Sequence, residues 1–98
     1  MVELIQTDIF ERWLAELRDA AAKVRIRTRI RRLSLGNPGD VKPVGSGISE
    51  MRIDYGPGYR VYFTQRGQLV ILLLCGGDKR TQRQDIERAK AIAAEWRD

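Results

Sequence analysis

The run Leu69-Val70-Ile71-Leu72-Leu73-Leu74-Cys75 constrains this chain more than any other stretch. Its apolar residues leave no face for water, so Gln68–Cys75 reads as a central strand covered on both sides. A chain of 98 residues has room for one such core, burying roughly 60–65% of the surface its unfolded form exposes. Residues 1–98 are therefore expected to form a single domain, and the covering layers must come from the segments before and after the strand.

Those layers are legible as stripes. Val2–Gln6 alternates loosely as a short strand, and Thr7-Asp8 brings oxygens that cap a helix, with Asp8 and Glu11 at capping-box spacing. Phe10, Trp13, Leu14 and Leu17 line one face of that helix, which is expected to end near Asp19 or Ala20. A second helix over 21–35 buries Ala22, Ile26, Ile30 and Leu33, making a helical hairpin that Gly36-Asn37-Pro38-Gly39-Asp40 terminates. Val41–Gly47, broken by Pro43 and two glycines, reads as loop or short extended chain.

Two alternating strands follow. In Ile48–Asp54, Ser49, Met51 and Ile53 share one face while Glu50, Arg52 and Asp54 share the other. After the turn Tyr55-Gly56-Pro57-Gly58, the strand Tyr59–Gln65 sets Tyr59, Val61 and Phe63 against Arg60, Tyr62 and Thr64. Arg66-Gly67 makes a tight connection into the central strand. Beyond Gly76-Gly77-Asp78-Lys79, Thr81 and Gln84 have capping-box spacing, and Ile86, Ala89, Ile92, Ala93 and Trp96 stripe a last helix. The fold class is α+β: a small, mainly antiparallel sheet with an N-terminal helical hairpin and a C-terminal helix.

Charge narrows the function. The 18 lysines and arginines outnumber 13 acids, for a net charge of +5, and Lys23, Arg25, Arg27, Arg29, Arg31 and Arg32 crowd one helix with no acid between them. Such a run suits a polyanion or an acidic protein segment. No histidine is present, so imidazole acid–base chemistry is excluded. The single cysteine, Cys75, permits neither an internal disulfide nor a cysteine metal site and fits a reducing cytoplasm. The N-terminus lacks a secretory signal, and no apolar run is long enough to span a bilayer, so a cytoplasmic protein without membrane partners is expected.

Candidate site residues gather after residue 50. Arg52 and Arg60 share a phase on adjacent strands, where guanidinium forks can grip a phosphate, although Glu50 and Asp54 are available to pair with Arg52 locally. Lys79 follows the central strand where Gly76-Gly77 permits close approach. Tyr62 offers a stacking surface for a base, although an outward strand tyrosine can equally cover a helix, and Gln82 offers a contact to a base edge or ribose, although a first-turn glutamine is commonly just exposed.

Three segments together carry a resemblance: Ile48-Ser49-Glu50-Met51-Arg52-Ile53, Gly58-Tyr59-Arg60-Val61-Tyr62-Phe63, and Leu72-Leu73-Leu74 running through Gly76-Gly77-Asp78-Lys79, Thr81-Gln82 and Asp85-Ile86. They resemble the RelE/ParE toxin superfamily, and more narrowly its HigB-like addiction-module killer branch, over essentially the whole chain. The resemblance implies the toxin of a type II toxin–antitoxin module, neutralised by a cognate antitoxin of helix-turn-helix, HigA-like type. It further implies an mRNA endoribonuclease working on the ribosome without metal or cofactor.

On that pattern Arg60, Lys79 and Asp85 are the catalytic candidates. Arg52, Tyr62, Arg80 and Gln82, with Arg25 and Arg29 of the basic helix, are the RNA-binding ones. The chain departs from ribonuclease members in lacking a C-terminal catalytic tyrosine or histidine, since Trp96 is the only aromatic residue of its last helix; Asp78 and Asp85 stand as candidate acids. The alternative from the same superfamily is a ParE-like inhibitor of DNA gyrase, a binding toxin with no catalytic site.

Overall fold

The computed structural model describes residues 2–96. In chain order its elements are β1 (Glu3–Gln6), α1 (Asp8–Glu16), α2 (Ala20–Ser34), β2 (Val41–Gly45), β3 (Ile48–Ile53), β4 (Tyr59–Arg66), β5 (Val70–Asp78), a 3-10 turn (Lys79–Thr81) and α3 (Gln82–Glu95). The strands form one sheet in the order β1-β5-β4-β3-β2; β1 runs parallel to β5 and every other pairing is antiparallel. This is the expected α+β architecture. No helix among the described residues is long and apolar enough to cross a membrane.

The alternation in β3, β4 and β5 divides the core into two layers. Met51, Ile53, Val61, Phe63, Ile71 and Leu73 face Phe10 and Leu14 of α1 and Ile26, Ile30 and Leu33 of α2. Ile48, Tyr62, Leu72, Leu74 and Cys75 face Ala89 of α3, with Ile86, Ile92, Ala93 and Trp96 packed against them. The central strand is thus covered on both sides, as its composition requires. A bulge between Tyr62 and Phe63, where β5 carries an extra residue opposite β4, sets Leu74 and Cys75 on the same layer.

Three boundaries differ from expectation, each for a local reason. Helix α1 stops at Glu16 because Asp19 caps the next helix, accepting the amides of Ala21 and Ala22, and Leu17 turns extended. Its N-cap is Thr7, whose hydroxyl accepts the Phe10 amide and donates to Leu74 O, so the Asp8–Glu11 box is not the cap. Of the loop and the short extended chain that 41–47 allows, the structure takes the second, but only over Val41–Gly45: at the sheet edge Pro43 has no ladder bond to forfeit, and the register shifts between Pro43 and Gly45.

The third difference shapes the site. Strand β5 does not end at Cys75 but continues through Gly76-Gly77 to Asp78, pairing with Tyr59 and Arg60 of β4. The glycines are needed because other elements press on both faces there. A Cβ at Gly76 would collide with the Trp13 ring of α1, and one at Gly77 with the Asp85 carboxylate of α3.

Candidate functional site

Register brings the arginines together. Arg52 of β3 lies directly opposite Arg60 of β4, and Arg60 opposite Gly77 of β5. Lys79 follows in the 3-10 turn, and all three cations line an open cleft of about 500 Å³ with Gly56, Pro57 and Gly58 of the intervening loop. Gly58 is the spacer: a Cβ there would stand 3.5 Å from Lys79 Cβ and 4.0 Å from Arg60 Nη1. Asp40 and Asp54 also line the cleft, and Asp40 holds Arg52 through an ion pair of 2.9 Å. That partner comes from the turn before β2, not from Glu50 or Asp54 on Arg52's own strand.

Beneath the cleft lies a buried polar cluster built on Glu50, which the sequence offers only as a local partner for Arg52. Glu50, opposite Tyr62 in the ladder, is 0% exposed. Its Oε2 accepts from Tyr62 Oη and from Gln82 Nε2, each at 2.9 Å, and stands 3.9 Å from Arg60 Nε. Alternation alone put Glu50 on an outward face; the fold covers that face with α3. Burial, and then the Glu50 carboxylate, push the Tyr62 phenol far above its ordinary range, so it remains a proton-bearing donor.

Tyr62 therefore corrects one expectation. Its ring is fully buried between the sheet and α3 and has no open face on which a base can stack. Gln82, expected at a base edge, is half-buried with its amide nitrogen on Glu50. Arg80 is exposed and paired with Asp78 at 3.2 Å, and that hydrogen bond holds the Asp78 carboxyl below the usual carboxylate range.

Asp85 is buried and lies outside the cleft lining. It accepts a 2.5 Å hydrogen bond from the Thr81 hydroxyl, not a contact from Lys79. The Thr81 side chain thus leaves the start of α3 without a side-chain cap and instead closes a capping box with Asp78 around the 3-10 turn. Burial raises the Asp85 carboxyl above its ordinary value, partly offset by the Thr81 bond. Cys75 is pushed up to about 12, chiefly by burial, and is a core thiol in contact with the Asp85 carbonyl.

The basic helix is split between tethering and exposure. Arg29 donates to the carbonyls of Arg52, Pro38 and Asp40 at 2.6, 3.2 and 3.3 Å, so its guanidinium pins the cleft's outer strand and the preceding turn to α2. Arg25 stacks 4.5 Å over the Tyr55 ring, whose hydroxyl donates to Asp19. Arg27, Arg31 and Arg32 are exposed. Among the described residues no group of three or more acids, cysteines or histidines is disposed to hold a metal ion.

Comparison with known proteins bears on this arrangement as a whole. Residues 12–97 match the family described as Phage derived protein Gp49-like (DUF891), which takes in every strand of the sheet but β1 and all of the cleft. A Haemophilus influenzae relative, named as an uncharacterized protein, is 48% identical over 94 residues, covering 96% of this chain and 95% of its own length.

Proposed function

The chain belongs to the Gp49-like family of phage-derived proteins, a family associated with RelE-like toxins of toxin–antitoxin systems and so with an antitoxin partner, and from that premise we propose that it is a HigB-like mRNA endoribonuclease. In this reading it is cytoplasmic, acts on messages in the ribosome, and is held in check by a helix-turn-helix antitoxin of HigA-like type. The observation that supports it best is the cleft in which Arg52, Arg60 and Lys79 meet. Three cations on a strand pair and a short turn suit one phosphodiester better than an extended protein surface.

The proposed reaction is attack by a ribose 2′-oxygen on its own 3′-phosphorus. The O2′–P bond forms, the P–O5′ bond breaks, the 2′-proton leaves to a base and the 5′-oxygen gains a proton. The nucleophile belongs to the substrate, so the protein's task is alignment, charge stabilisation and proton transfer. Arg60 and Arg52 hold the non-bridging oxygens, whose charge grows in the transition state. Lys79, exposed at the rim, exchanges the proton with a bridging oxygen. Asp85 serves as a positioning residue: through Thr81 it fixes the turn that carries Lys79.

Induced expression without antitoxin, with mRNA 5′ ends mapped in translated and untranslated transcripts, tests this reading. New ends phased to codons in translated messages are expected. Intact transcripts with blocked supercoiling would replace it with the gyrase-inhibitor alternative.

A further inference from the structure

Phosphate binding does not explain why an acid sits fully buried below the cleft. Burying a carboxylate is costly unless its lone pairs are served, yet only Glu50 Oε2 has donors, Tyr62 Oη and Gln82 Nε2. Glu50 Oε1 has no hydrogen-bond partner among the described residues, and neither has Arg60 Nε. Arg60 Nε thus lies in the same buried space as the carboxylate, 3.9 Å from its Oε2, which is ion-pair range but too long for a hydrogen bond. The other end of Arg60 faces away, its Nη1 beside Gly58 at the cleft wall. The Arg60 side chain is only 13% exposed, so it spans from core to cleft.

We propose that Glu50 is a positioning residue for Arg60: its carboxylate anchors the Nε edge of the guanidinium, so that the Nη edge is presented to a phosphate of single-stranded RNA in the cleft. A guanidinium is a rigid planar fork, so fixing one edge aims the donors on the other. Tyr62 and Gln82 hold Oε2 and stop the carboxylate from turning, so it stays 3.9 Å from Arg60 Nε, a gap that closes when a bound phosphate draws the guanidinium into place. An arginine anchored in this way has less rotamer freedom to lose on binding. Glu50, being buried, never touches the RNA. This inference rests on reading the cleft as a phosphodiester site.

The test is NMR of the Arg60 Nε–H group during titration of the protein with a 2′-deoxy trinucleotide, which binds through phosphate but cannot be cleaved. In the wild-type protein the Arg60 Nε–H resonance is expected to move as the oligomer saturates. In Glu50→Gln, similar in shape and uncharged, the movement should vanish and affinity should fall about tenfold, the size of one charge-assisted hydrogen bond. A purely structural role for Glu50 would change the melting temperature without changing either readout. Unaltered affinity and resonance movement in Glu50→Gln, or a wild-type resonance that never moves, would overturn the proposal.

Should Glu50→Gln fail to fold, Tyr62→Phe removes one donor from the same carboxylate and keeps the ring; an affinity loss of about twofold to fivefold is expected there, and no loss would overturn the proposal. Because the oligomer is uncleavable, the two readings fail separately. Growth arrest without mRNA cleavage would remove the ribonuclease and leave the coupling standing. An unchanged Glu50→Gln titration beside normal cleavage would do the reverse.

Discussion

The two faces of the sheet are built to different rules. Beneath α1 and α2 the layer is Phe10, Leu14, Ile26, Ile30 and Leu33 against the apolar alternates of β3, β4 and β5. Beneath α3, apolar packing surrounds Glu50, Thr64 and Asp85, three of the four buried polar residues among those described. Apolar burial is the larger source of stability, whereas a buried acid costs desolvation and stabilises little net. The first face holds the domain together; the second spends part of that stability on aiming Arg60 and the Lys79 turn. Damage to the first should unfold the protein, and damage to the second should disarm it.

The largest effect is expected on the apolar face. Phe10→Ala removes a fully buried ring and should lower unfolding free energy by about 3–5 kcal/mol, read from the urea midpoint; a loss under about 1 kcal/mol would break the comparison. On the other face, Arg60→Ala should cut the proposed cleavage about 10²- to 10³-fold, as expected for the loss of one transition-state donor, with a far smaller change in the midpoint. Equal losses of stability and activity there would erase the distinction.

Smaller effects sharpen the boundary between the faces. Arg29→Ala frees three carbonyls and should cost about 1–2 kcal/mol, with faster exchange of the Arg52 amide, which donates to Asp40 O. The smallest concerns pH. Burial raises the folded-state value of Asp85, so above the ordinary carboxylate range the native state binds more protons than the unfolded one. Stability from this group is therefore complete at low pH and lost as pH rises through the raised value. Asp85→Asn keeps an acceptor for Thr81 and should flatten that limb of the stability curve. A limb of unchanged slope would assign the dependence to another group.

Much of this was legible from residues alone, and what was not has physical reasons. The stripes of α2 and α3 and the alternation in β3 and β4 announced the core because single faces had to be buried. The phase shared by Arg52 and Arg60 survives as a direct cross-strand pair. Glu50 reads as a surface partner for Arg52 because alternation states which residues share a face, not whether a later helix will cover it. The same limit turned Tyr62 from a stacking surface into a buried hydroxyl donor. Strand β2 hid behind Pro43, which an edge position tolerates, and behind Gly45, where the register shifts. The extension of β5 hid behind Gly76-Gly77, which reads as a turn until Trp13 and Asp85 are seen against it.

The most direct measurement is growth and mRNA 5′-end mapping after induction of the Arg60→Ala/Lys79→Ala double variant, with antitoxin co-purification as the control for folding. If the cleft is the phosphodiester site, arrest and the new 5′ ends disappear while the antitoxin still binds. Persistent arrest with the same ends in that variant would contradict it.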